Sequence, residues 1–180
     1  LGIPPVYTVE LSSLVDDSGR IVMQVFFYGD EDKDGQHSFV SFLNLFRRSP
    51  SWQVVENPQW VTIHSKGAKK PVYIFANKPL FGEDDPEEAA INDLENYLAD
   101  HHLQPSIYVH RGHSFHVKST LKRIGPSARI VLLGSCGGYN NLSEILSISE
   151  DAHIISSKQT GTMFVNDPLL QAINNRLLAG

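Results

Sequence analysis

Arg129-Ile-Val-Leu-Leu-Gly-Ser-Cys-Gly-Gly138 decides the reading of this chain. An apolar run of strand length stops in small residues, the pattern of a buried parallel strand whose carboxyl end opens on a ligand crevice. Cys136, the one cysteine in the sequence, stands at that end. A second run of the same kind, Ser106-Ile-Tyr-Val-His-Arg-Gly-His113-Ser114, ends in a histidine 23 residues before Cys136. Six positions separate Ile107 from His113, and six separate Ile130 from Cys136. Two such strands lying side by side and in step bring imidazole and thiol to adjacent strand ends, as a Cys-His nucleophile pair requires.

The rest of the chain has to build that site. Its 180 residues, 41% hydrophobic and 19% charged, suffice for one well-cored domain and are few for two. Net charge is −5, and the 15 Lys and Arg are scattered apart from Arg47-Arg48 and Lys69-Lys70. With no basic face, nucleic acid and anionic membranes are not expected partners. No apolar run approaches the roughly 18 residues of a membrane span, and no targeting segment is read. A lone cysteine excludes an intrachain disulfide framework and leaves the compartment open. Residues 1–19, with Pro4-Pro5 and the turn signal Asp16-Asp-Ser-Gly19, read as an arm, and residues 20–180 as the domain. Leu1 and the abrupt stop at Leu178-Ala-Gly180 are expected to mark a piece excised from a longer protein.

Apolar and helical periods alternate along the chain. A buried strand is expected over 21–28, and a helix over 38–47 from the spacing of Phe39, Phe42, Leu43 and Phe46. Short strands at 52–55, 60–64 and 72–76 suggest a hairpin or meander at one edge. Asp84-Asp-Pro-Glu-Glu opens a helix whose stripe is Ile91, Leu94 and Leu98 and which closes at His101-His102. After the His strand, a helix at 117–124 stops at Gly125-Pro126. The Cys strand, a helix at 141–148, a strand at 152–156 and a helix capped by Asn166-Asp-Pro168 complete the chain. Strands separated by helices imply an α/β three-layer sandwich, a mainly parallel sheet with helices on both faces.

Free cysteine is among the most buried residue types, so a structural thiol is one reading of Cys136. The flanking Gly134, Gly137 and Gly138 favour a nucleophile instead, because they leave sulfur uncovered and free the following N–H groups to face an oxyanion. Gly134-Ser-Cys-Gly-Gly138 also has nucleophile-elbow spacing, but that fold needs its histidine after the nucleophile. Only His153 follows Cys136, and it begins a strand. His110, His113 and His116 form an H-x-x-H-x-x-H array, yet it straddles a strand end with no Cys or carboxylate close in sequence to complete a metal site.

The order strand, Gly-His, helix, strand, Ser-Cys-Gly-Gly, helix, strand resembles the caspase and hemoglobinase group of cysteine peptidases, which includes caspases, legumains, gingipains, clostripains and separases. Cys136-Gly137-Gly138 matches the last three positions of the Q-A-C-[RQG]-G pattern, with Gly134-Ser135 in place of Gln-Ala. Gly112-His113 matches the histidine motif, with Ser114 where a glycine usually follows. The resemblance spans about residues 21–178 and suggests a bacterial-type branch. It implies a thiol protease in which Cys136 attacks a peptide or protein substrate, His113 protonates the leaving amine, and backbone N–H groups around Gly112, Cys136 and Gly137 hold the oxyanion. No cofactor is required by that resemblance, and His110 stands as a secondary candidate for the base.

Asp30-Glu-Asp-Lys-Asp-Gly35 fits the opening of a calcium loop, with Asp30, Asp32 and Asp34 as ligands, although Ser41 occupies the twelfth position. A solvated acidic turn fits equally. In the resembling families a charged pocket selects the residue on the acyl side of the scissile bond. Asp30, Asp167 and the loop around Lys158 are expected at that edge, and the carboxylates predict cleavage after Arg or Lys. The different-class alternative is a catalytically inactive caspase-like interaction or regulatory domain that binds calcium through the acidic loop.

Overall fold

The computed structural model describes residues 8–180, so part of the expected arm, residues 1–7, lies outside the described residues. In chain order the elements are β1 (Ile21–Phe27), α1 (Asp34–Arg47), β2 (Trp52–Glu56), β3 (Trp60–Ser65), β4 (Val72–Asn77), α2 (Pro86–Asp100), β5 (Ile107–Arg111), α3 (Val117–Leu121), β6 (Ile130–Leu133), α4 (Leu142–Ile148), β7 (His153–Ser156) and α5 (Met163–Ala179). The strands form one sheet in the order β2-β3-β4-β1-β5-β6-β7. β4, β1, β5, β6 and β7 run parallel. β2, β3 and β4 form the expected antiparallel meander at one edge.

Every residue of β1 is buried, so both faces of this central strand must be covered. The two-residue period of a strand divides its side chains between them. Ile21, Met23, Val25 and Phe27 pack with Phe39, Phe42, Leu43 and Phe46 of α1 and with Leu170 and Leu177 of α5. On the other face, Phe26 meets Ile91 of α2, Val117 and Leu121 of α3 and Ile145 of α4, while Val22 meets Leu94 and Leu98 of α2. The molecule is therefore a three-layer α/β sandwich. Among the described residues no helix is long and apolar enough to cross a membrane.

Ile107 pairs with Ile130, and the ladder continues through Tyr108–Val131, Val109–Leu132 and His110–Leu133. This is the in-step arrangement that equal spacing to His113 and Cys136 requires.

Two helices start earlier than their local signals suggest. α1 begins at Asp34 instead of residue 38, because the chain turns with Lys33 N–H donating to Asp30 C=O at 3.0 Å and Lys33 at φ 64°. Gly35 sits so tightly under β1 that a Cβ there would overlap the carbonyl oxygen of Tyr28. α5 begins at Met163 with Thr162 at its N-cap, and Pro168 lies inside the helix. Asn166 and Asp167 do not cap it, because their side chains are taken by partners on β5, α1 and the Cys136 turn.

Candidate functional site

Four strand ends converge on one edge of the sheet. The segments following β1, β5, β6 and β7 supply Asp30, His113, Cys136 and residues 160–164 with Asn166 to a cavity of about 350 Å³. Carboxyl ends of parallel strands are where open α/β sheets bind ligands. Cys136 lies in the turn after β6 and is exposed, not buried as a structural thiol. His113, next to Gly112, lines the same cavity with its side chain 37% exposed.

The acidic segment closes over His113. Its Nε2 is 3.5 Å from Asp32 Oδ2, 3.7 Å from Asp30 Oδ2 and 4.0 Å from Asp34 Oδ2. These are separations beyond a direct hydrogen bond. Asp30 is the inner member: Oδ1 lies 3.0 Å from His116 Nε2, while Oδ2 is buried without a hydrogen-bond partner. His116 in turn stacks on Tyr28, with 4.4 Å between ring centroids. The backbone ahead of Asp30 is pinned by Gly29 N–H, which donates to Glu87 Oε2 at 2.6 Å. Burial raises the Glu87 carboxyl to about 8, with Asp85 and Asp30 adding to the effect.

His110 is a buried, hydrogen-bonded residue beneath His113. It is fully buried on the α2/α3 face. Its Nε2 faces the carbonyls of Gly112 at 3.2 Å and His113 at 3.3 Å, and Nδ1 lies 2.7 Å from Thr120 Oγ1. Two carbonyls can only accept, so Nε2 carries the proton and Thr120 donates to Nδ1. Thr120 then accepts from Tyr28 O–H at 2.7 Å. Burial lowers the His110 imidazole to about 4, which keeps this neutral tautomer at pH 7. The chain Tyr28, Thr120, His110 thereby fixes the backbone that presents His113. The three histidines do not converge as metal ligands.

The opposite wall carries a buried ion pair that sequence reasoning missed. Arg111, at the end of β5, projects to the α1/α5 face, where Nη1 lies 2.7 Å from Asp167 Oδ1 and Nη2 donates to Ser38 Oγ at 2.8 Å. Asp167 Oδ2 accepts from Ser41 at 2.5 Å. An arginine ending a wholly buried strand was the available signal, since such a charge requires a partner. Asn166 Nδ2 donates to Gly134 C=O at 2.8 Å and ties α5 to the Cys136 turn.

Several expected positions are corrected. Asp167 is not among the cavity-lining residues and is paired with Arg111, which is, so it is not a free pocket carboxylate. Lys158 lies over the Tyr139 ring at 4.4 Å and is not among the cavity-lining residues. Gly137 adopts φ 65°, and its N–H donates to Gln159 C=O at 3.1 Å, so it is engaged elsewhere than at an oxyanion. Asp34-Gly35 opens α1 instead of continuing a twelve-residue calcium loop, and Ser41 is a helical residue facing α5. The side chains that gather as a possible cation site are Asp30, Asp32 and His113.

No protein-family profile matches the chain, and no curated protein matches it. Among solved structures it is similar to the cytosolic domain of L. pneumophila FeoB, with a TM-score of 0.42 and 11% identity over 87% of this chain and 68% of that one. Similarity of that degree assigns no activity.

Proposed function

We propose that the chain is a cysteine endopeptidase of the caspase and hemoglobinase type, with Cys136 as nucleophile and His113 as acid and base. The observation that carries this reading is the common cavity lined by both side chains, at the ends of strands paired Ile107 to Ile130. In the proposed reaction the Cys136 thiolate attacks the peptide carbonyl carbon, and the carbonyl electron pair moves to oxygen. N–H groups of Gly112 and Cys136 hold that oxyanion. Collapse breaks the C–N bond while His113 gives its proton to the leaving amine. Water, deprotonated by His113, then releases the acid from the thioester and restores the thiol.

Met163 and Phe164 line the same cavity, and Phe164 is 85% exposed, giving an apolar wall for a peptide. Asp30 and Asp34 also line it, whereas Asp167 is paired with Arg111. The proposed preference is therefore Arg or Lys before the scissile bond, selected by Asp30 and Asp34. A fluorogenic peptide library tests both parts. Cleavage after Arg or Lys, absent in Cys136→Ala, is the expected result. Undiminished turnover in Cys136→Ala overturns the mechanism, and a preference for Asp or small apolar residues overturns the pocket assignment.

A further inference from the structure

One carboxylate oxygen each of Asp30 and Asp32 and one ring nitrogen of His113 lie within 4.8 Å of one another. A cluster of acids alone is no site, but Asp30 adds an independent observation. Its side chain is 10% exposed and faces the cavity, one oxygen is satisfied by His116, and the other is buried with no hydrogen-bond partner. A buried carboxylate oxygen with no hydrogen bond, and only His113 Nε2 at 3.7 Å, is costly, and a bound cation satisfies it. The surroundings also hold these groups in place. His116 orients Asp30 in the way outer partners orient metal-binding side chains, and His110 pins the His113 carbonyl.

We infer that Asp30, Asp32 and His113 form a binding site for a divalent transition-series cation, zinc ahead of manganese, whose occupancy blocks the cavity. The imidazole decides the class of ion. Calcium and magnesium take oxygen ligands, whereas imidazole suits zinc and its neighbours, and the affinity order favours zinc over manganese. Ligands about 2.1 Å from a tetrahedral ion stand about 3.4 Å apart. The spacings of 3.5 and 3.7 Å to His113 Nε2 are close to that value. Inhibition rests on the peptidase reading above: a cation on Nε2 occupies the imidazole that the proposed reaction needs and neutralises the carboxylates offered to a basic substrate. The binding site itself does not depend on that reading.

Isothermal titration of the tag-free protein with zinc, manganese and calcium chlorides tests the site without any substrate. One zinc per chain is expected, binding at least tenfold tighter than calcium. Cys136→Ser should bind zinc as the wild type does, which keeps the thiol out of the ligand set. Asp32→Asn changes an exposed side chain and should weaken zinc at least tenfold. Absence of one-to-one zinc binding overturns the site, as does calcium binding as tightly as zinc. Loss of binding in Cys136→Ser with retention in Asp32→Asn overturns it too, by moving the ion to the thiol. Zinc binding in a protein with no peptidase activity upholds the site and fails the peptidase reading. Zinc binding without inhibition of an active peptidase overturns the blocking role.

Discussion

Nη1 of Arg111 stands 2.7 Å from Oδ1 of Asp167, with the two side chains only 1% and 11% exposed. Arg111 ends β5 and Asp167 lies in the first turns of α5, so this pair joins the sheet to the helix that walls the site. Burial alone lowers the arginine's affinity for its proton, and the aspartate opposes that.

Breaking a buried pair leaves an uncompensated charge, which costs about 3–5 kcal/mol, whereas replacing both members by apolar residues is often neutral. Arg111→Met is therefore expected to lower the urea midpoint strongly. Arg111→Met with Asp167→Leu should recover most of the loss. A double variant as unstable as the sum of the singles would show that pairing is not what these residues contribute.

His113 and His110 should separate cleanly. His113→Ala, at a partly exposed position, is expected to cut turnover by roughly 10²–10⁴-fold with little change in melting temperature. His110→Ala removes a fully buried ring and its bonds to Thr120 and two carbonyls, and should cost about 2–4 kcal/mol of stability. Peptidase assays run beside thermal melts decide it. A stable His110→Ala with the larger loss of turnover would reverse the assignment.

Glu87 sets a pH dependence of stability. Its folded value of about 8 lies above the ordinary 4.5, so between these values the native state holds a proton that the unfolded chain releases. The contribution is fully present below 4.5 and is lost as pH rises through about 8. Glu87→Gln should flatten this part of the profile and melt higher than wild type at alkaline pH. An unchanged slope between pH 5 and 8 would remove Glu87 as its source.

Gly161 packs directly on the Cys136 turn: a Cβ there would sit 2.9 Å from Gly134 O and 2.9 Å from the Ser135 carbonyl carbon. Gly161→Ala must push the two segments apart, at a cost of about 1–3 kcal/mol, and turnover is expected to fall with it. Gly82→Ala serves as a control, since its Cβ meets only Pro86 Cγ, at 3.7 Å. Equal stability and activity in the two variants would show that the Cys136 turn tolerates displacement.

Helix starts mark where local reading ran out. α2 was legible because Asp85 caps it through Glu88 N–H at 3.1 Å and Pro86 follows, all within four residues. α5 was not, because Asn166 and Asp167 carry cap chemistry but spend it on Gly134, Arg111 and Ser41. The acidic segment misled in the same way. Its glycine answers to the Tyr28 carbonyl instead of a calcium loop.

By itself the sequence determined the layers and the placing of Cys136 and His113 on one edge of the sheet, along one cavity. Apolar periodicity dictates which strands are covered on both faces, and equal spacing from Ile107 and Ile130 needs only an in-step ladder to align the strand ends. Tertiary structure decided how those residues are surrounded. Asp30 reaches His116 across 86 positions, Arg111 reaches Ser38 across 73, and Ser41 reaches Asp167 across 126. Such contacts follow from the stacking of helices on the sheet, which no local pattern encodes. A buried polar side chain takes whichever partner that packing brings within reach.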